Sequence, residues 1–174
     1  TGHCSIAYLG YLNGYSTIQE VMTDPKLATI IQNVMEETGD MLVEKHDFDR
    51  KEQTQYIHKT LKRFSNPYLT DEIVRIGRSP LRKLSLHDRL VRPTMLSYDL
   101  GLNVSSLTNT IAAALLYFHE DDPEAIELKQ AFETHSIHEV IVKYLGIPKN
   151  HPVHQKVVKK YKKFKETFQH AVRA

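Results

Sequence analysis

The sequence is short of several things, and each shortage removes a class of function. It has a single cysteine, Cys4, so no internal disulfide can form. A lone thiol fits a reducing compartment, and the expected location is cytoplasmic. Cys4 itself reads either as a nucleophile or, as free cysteines mostly do, as a small buried hydrophobe. No stretch reaches the ~18 apolar residues that a membrane span needs. The longest candidate, residues 111–118 (IAAALLYF), falls far short of that. The opening residues lack the basic end, apolar centre and small-residue cleavage site of a secretory leader. Charge is nearly balanced, with 23 Lys and Arg against 21 Asp and Glu. A net charge of +2 is too small to imply nucleic acid by itself. The G-x-G-x-x-G dinucleotide fingerprint is missing. No region alternates apolar and polar residues long enough to make a convincing strand, and there is neither an internal repeat nor a low-complexity linker.

What remains is helical. The 174 residues suit one domain that buries roughly two-thirds of its unfolded surface. Apolar residues at 41% and charged residues at 25% are ordinary for a folded globular chain. Tyr8, Tyr11, Leu12 and Tyr15 have helical spacing, with Gly14 as a stop. Thr17 and Glu20 form a capping box. Asp24-Pro25 is an N-cap followed by proline at the first helical position. From Leu27 through Ile30, Ile31, Val34, Met35, Thr38, Met41 and Leu42 the apolar residues recur at three and four. Tyr56, Ile57, Leu61 and Phe64 mark another helix, stopped at Ser65 to Pro67. Further starts are expected at Ser79-Pro80, at Ser85 to Asp88 and at Asp122-Pro123. Asn103 to His119 reads as one long buried helix. Gly146 and Pro148 end a helix carrying Val140, Ile141 and Tyr144. The last helix spans about Val153 to Val172. The fold class expected from this pattern is all-α, with many helices and short loops.

Three groups of residues could carry chemistry. The densest lies between Arg63 and Pro93, where Arg75, Arg78, Arg82, Lys83, Arg89 and Arg92 crowd a proline-punctuated stretch. Guanidinium forks match phosphate oxygens in two-point contacts, so this cluster could hold a phosphate. On composition alone the favoured reading is a solvated basic face, ion-paired to residues such as Asp71, Glu72 and Asp88. The last helix sets Lys156, Lys159, Lys160, Lys162, Lys163 and Lys165 away from Val157, Tyr161, Phe164 and Phe168. Such a helix either packs its apolar stripe and hydrates its lysines or serves a non-catalytic binding module. The histidine pairs His135/His138 and His151/His154 lack a third and fourth ligand, so no metal is expected. His3, alone, has no special meaning.

Taken together, TGH followed by AYLGYLNGY, the block RFSNPYLTDEIVRIGRSPLRKLSLHDRLVRP and GLNVSSLTNTIAAALLYFHEDDPEA resemble the polyol-specific long-chain dehydrogenases, in their mannitol-1-phosphate branch. The resemblance covers essentially the whole chain. It implies a multi-helix substrate domain like the C-terminal domain of 6-phosphogluconate dehydrogenase, spanning residues 1–174, with the N-terminal NAD-binding domain absent from this chain. The family's signature is Lys, four residues, Asn, two residues, His. Thr1, Gly2 and His3 match its end, so the chain is expected to begin inside the active-site motif. The resemblance implies NAD as cofactor, no metal, and hydride exchange that interconverts mannitol 1-phosphate and fructose 6-phosphate. His3 and the missing Asn would hydrogen-bond the reacting oxygen, and the missing Lys would be the general base. Arg75 and Lys83 fall at substrate-contacting positions. Arg78, Arg82 and Arg92 are further candidates for phosphate recognition, and Asn66 for organising the pocket wall. The expected partners are a hexitol or sugar phosphate and the NAD-binding domain, with neither nucleic acid nor membrane. A relative acting on unphosphorylated mannitol or a sugar acid is the alternative. Several convergent cations would argue for the phosphate.

Overall fold

Helix α1 (Gly2–Leu12) runs through the interior, with Ile6, Ala7 and Tyr8 wholly buried. Its sequence has little polar character, so it can be covered from several sides at once. The computed structural model describes residues 1–68 and 70–173, and side chains as far as Phe168. After α1 comes α2 (Ile18–Thr23), started by the expected capping box: Glu20 N–H donates to Thr17 Oγ1, and Thr17 N–H donates to the Glu20 carboxylate. Asp24 caps α3 (Pro25–His46) by accepting from Lys26 and Leu27 N–H at 2.8 and 3.2 Å. The predicted stripe of α3 is buried at Leu27, Ile31, Val34, Met35 and Met41. Helix α4 (Arg50–Phe64), capped by Asp49, packs along α3. Gly39 permits that approach: a Cβ there would sit 3.0 Å from Ile57 Cδ1.

Two short helices follow, α5 (Ile73–Gly77) and α6 (Pro80–Leu84), and then α7 (Val91–Asp99) and α8 (Ser105–Ala114). Helix α9 (Pro123–Thr134) begins at the expected Asp122-Pro123. Helix α10 (Ile137–Val140) continues into a π-helical turn, Ile141–Leu145, which Gly146 ends with φ 67°. Helix α11 (Pro152–Arg173) closes the chain and lays Val157, Val158 and Tyr161 against α8, leaving the lysines of its other face outside the core. The fold is all-α; among the described residues the sole sheet-like pairing is an isolated bridge between Thr17 and Glu72. Among the described residues, too, no helix is long and apolar enough to cross a membrane.

Two expectations need correction. No helix starts at Ser85 to Asp88; residues 85–90 form successive turns, in which Ser85 N–H donates to Arg82 O and Asp88 N–H to Ser85 O. These turns sink Leu90 into the core, and α7 starts at Val91. The long helix expected from Asn103 to His119 stops at Ala114, where the bonds tighten to Leu116 N–H on Ala113 O and Tyr117 N–H on Ala114 O. Leaving the helical path lets Tyr117 pack edge-on against Tyr8 and Tyr11, with its hydroxyl 3.2 Å from Val74 O.

Two buried polar contacts tie the helices together. Glu37 of α3 is 5% exposed, and its two carboxylate oxygens accept from Ser106 and Leu107 N–H, each at 2.9 Å. A side chain distant in sequence thus caps α8, whose own N-cap, Val104, cannot. Burial pushes the Glu37 carboxyl upward against the pull of those amides. Replacing Glu37 with alanine would strand two buried N–H groups. The expected loss is about 2–4 kcal/mol, read as a lower midpoint in urea unfolding. The second contact stacks His138 on His154, with Nδ1 of the former 2.9 Å from Nε2 of the latter. The other nitrogen of His154 lies 3.1 Å from Ile147 O. Burial holds His154 below the ordinary histidine value. Its unfolded form therefore binds the proton more readily than its folded form. Stability is full above the ordinary histidine range and declines as pH falls through that range toward the folded value. Denaturant midpoints measured from pH 8 to pH 5 should fall, and His154→Phe should flatten the slope.

Candidate functional site

The turn between α5 and α6 has almost no regular structure of its own, and its backbone groups are satisfied by buried side chains. Tyr8 donates its hydroxyl to Gly77 O at 2.9 Å. The Lys83 ammonium donates to Ile76 O at 2.6 Å and also to Arg78 O. Ser79 sits in the left-handed region with φ 61°, and its N–H is held by Asp122 Oδ2 at 2.9 Å. Asp122, 3% exposed, at the same time caps α9 through Glu124 N–H. Gly77 is needed at this corner because a Cβ would meet the Tyr117 ring at 2.8 Å. A strained residue held from several directions is a common feature of binding sites.

Around this corner opens a hollow of about 260 Å³, bordered by His3, Cys4, Arg75, Arg78, Ser79, Arg82, Lys83 and Arg89. Among the described residues, neither the Arg78 nor the Arg82 guanidinium pairs with a carboxylate, though Glu124 Oε2 accepts from the Arg82 backbone N–H at 2.8 Å. Both arginines are exposed. Arg89 donates from Nε to Asp88 Oδ1 at 3.0 Å. Lys83 is 4% exposed, and burial lowers its ammonium below the ordinary lysine range. Two of its three donors go to carbonyls, leaving one.

His3 stands between this hollow and a second one of about 210 Å³, lined with Ile18, Gln19, Arg63, Phe64 and Asp71. Its ring stacks on Phe64, with centroids 5.1 Å apart. His3 Nε2 lies 3.3 Å from Asp71 Oδ2, and the other oxygen of Asp71 pairs with Arg75. Burial lowers the His3 value below the ordinary one, and Arg63 and Arg75 add to this, while Asp71 opposes it. Gln19 Oε1 in the same hollow is buried and has no hydrogen-bond partner among the described residues.

Of the expected residues, His3, Arg75, Arg78, Arg82 and Lys83 border one hollow. Arg92 instead lines a neighbouring, wider hollow of about 440 Å³ with His46, His87 and Asp88; Arg89 borders both. Asn66 lies outside these hollows and accepts from Tyr68 N–H in the turn after α4. Sequence reasoning includes Arg89 only as one member of the basic block and does not single out Asp71 or Ser79 as site residues. Asp71 is visible there only as an ion-pair partner, and nothing in its spacing marks it as a neighbour of His3. Among the described residues no three His, Cys, Asp or Glu side chains group as a metal site.

Known proteins match this chain over nearly its full length. Residues 1–165 match the family described as mannitol dehydrogenase C-terminal domain. The chain is 41% identical over 166 residues to a mannitol-1-phosphate 5-dehydrogenase of Exiguobacterium sp., covering 95% of this chain and 44% of that protein. Its counterpart from Geobacillus thermodenitrificans is 42% identical over 167 residues, covering 95% and 43%. The chain thus spans less than half the length of the curated relatives it matches. Among solved structures, the mannitol 2-dehydrogenase of Pseudomonas fluorescens, in ternary complex with NAD and D-mannitol, superposes with TM-score 0.68. That match covers 99% of this chain and 38% of that one at 19% identity, and shows a common fold.

The two roles of cations at this site separate by mutation. Lys83→Met removes the donor for two carbonyls while filling similar volume, and should cost about 2–3 kcal/mol. Arg82→Met should stay within about 0.5 kcal/mol of the parent. Thermal unfolding of the two variants would check this, the first losing several degrees and the second almost none.

Proposed function

Because the chain belongs to the mannitol dehydrogenase C-terminal domain family, we propose that it is the substrate-binding half of an NAD-dependent dehydrogenase that interconverts mannitol 1-phosphate and fructose 6-phosphate. The observation that carries this reading is the convergence of Arg75, Arg78, Arg82 and Arg89 on one hollow beside His3. A phosphomonoester brings nearly two negative charges and several acceptor oxygens, which guanidinium groups bind in two-point contacts. A neutral polyol has no use for so many cations.

In this reading Arg78 and Arg82, whose guanidinium groups pair with no carboxylate among the described residues, hold the phosphate, with Arg89 at its edge. Arg75 and the remaining donor of Lys83 face the hydroxyl chain. His3 hydrogen-bonds the reacting oxygen. NAD supplies the hydride acceptor when bound, but these residues do not form a dinucleotide site. The described residues contain neither a strand nor the Gly-rich turn that cradles a pyrophosphate. A separate dinucleotide-binding domain, consistent with relatives more than twice this length, completes the enzyme and brings the lysine base. The setting we propose is the cytoplasm, where Cys4 stays a buried free thiol.

Steady-state NAD reduction by the protein that joins this segment to its dinucleotide-binding domain tests the reading. Mannitol 1-phosphate should be the preferred substrate over mannitol. Replacing both Arg78 and Arg82 with alanine should cut kcat/KM for the phosphate ester by about 10- to 100-fold per lost charged contact. Use of mannitol should be unaffected. Equal use of both substrates by the parent protein would overturn the phosphate assignment.

A further inference from the structure

The backbone at Asp71 to Ile73 is hydrogen-bonded to the residues that lead into α2. Ile18 N–H donates to Asp71 O at 2.9 Å, and Ile73 N–H donates to Ser16 O at 2.9 Å. The Thr17–Glu72 bridge lies between these bonds. Ile18 and Ile73, each 1% exposed, anchor both sides in the core. The Asp71 backbone is therefore fixed against the start of α2, and its carboxylate is set down between two cationic or titratable partners. One oxygen lies 3.3 Å from His3 Nε2, and the other pairs with Arg75, four residues on. Phe64 stacks on the imidazole and restricts its rotation.

From this geometry we propose that Asp71 is the positioning residue of His3: one carboxylate oxygen draws the Nε2–H, the other is balanced by Arg75, and the ring is held as the Nε2–H form. The inference rests on the reading above for the use made of His3, but not for the contact itself. A neutral imidazole has one N–H. With that hydrogen turned to Asp71, Nδ1, which has no partner among the described residues, keeps a lone pair in the neutral ring and accepts from the substrate hydroxyl; once protonated, the form that Asp71 favours, it donates to the oxygen that takes up charge. The charged groups acting on the ring are Asp71, Arg63 and Arg75. Asp71 alone of the three favours the imidazolium, and burial opposes it. Arg75 shares the Asp71 charge, so an anion that engages Arg75 leaves more of that charge on His3.

The test is an NMR titration of the His3 ring, through its ¹³C and ¹⁵N shifts, in the present chain and in two variants. In the parent the neutral ring should be wholly the Nε2–H form. Asp71→Asn keeps an acceptor but loses the charge, so that form should persist while the titration midpoint moves lower. Asp71→Ala loses both, so the midpoint should fall and the Nδ1–H form should enter. An unchanged midpoint in Asp71→Asn would overturn the proposal, and that variant decides the matter should Asp71→Ala fail to fold. This readout involves no turnover. A wrong substrate assignment would therefore leave it intact, and its own failure would leave the phosphate preference untouched.

Discussion

The ammonium of Lys83 holds a backbone corner from the inside, and the cationic hollow depends on that corner. A lysine 4% exposed incurs a large desolvation cost, which two carbonyl acceptors partly offset. In return the carbonyls of Ile76 and Arg78, which belong to no helix ladder, are satisfied away from water. The Tyr8 hydroxyl does the same for Gly77, and Asp122 holds Ser79 in its left-handed conformation. Because the irregular backbone is pinned by groups from α1, α6 and the start of α9, the side chains that leave it do so from a fixed base. Arg75 departs from α5, Arg78 from the corner and Arg82 from α6, and all reach one hollow.

The site therefore divides its charges by task. Lys83 and Asp122 are buried and used for construction. Arg78 and Arg82 are exposed and uncommitted among the described residues, which suits capture of an anion from solvent. Asp71 belongs to both groups, fixed by the bridge to α2 yet facing His3 and Arg75. A similar economy appears elsewhere in the fold. Glu37 caps a helix far away in sequence, and the His138–His154 stack joins α10 to α11. In each case a polar side chain replaces a local cap or a continuous helix that the sequence does not supply.

Much of this is legible in the order of the residues alone. The Asp24-Pro25 and Asp122-Pro123 starts, the Thr17–Glu20 box and the apolar stripe of α3 depend on neighbours within four residues, and the fold contains all of them. The basic block is legible as a phosphate candidate through composition and resemblance. Less legible are the end of α8 and the turns at residues 85–90, because Tyr117 and Leu90 leave helical paths to fill space between other helices. Helix α5 is too short to show a period of its own. The separation of Arg92 from the other arginines likewise depends on which side of the turns at 85–90 each side chain takes.

Local pattern is enough for the helical class, the family and the basic block, since caps, apolar period and motif residues are short-range and discrete. Which of those cations are free and which are consumed is settled by the assembled fold. That choice depends on burial and on partners many residues away: Lys83 lies beneath Tyr8, and Asp71 lies beside His3 across the bridge between Thr17 and Glu72. A lysine and an arginine in one short block look alike as letters. They differ once desolvation makes one of them bond to the backbone and leaves the other to solvent.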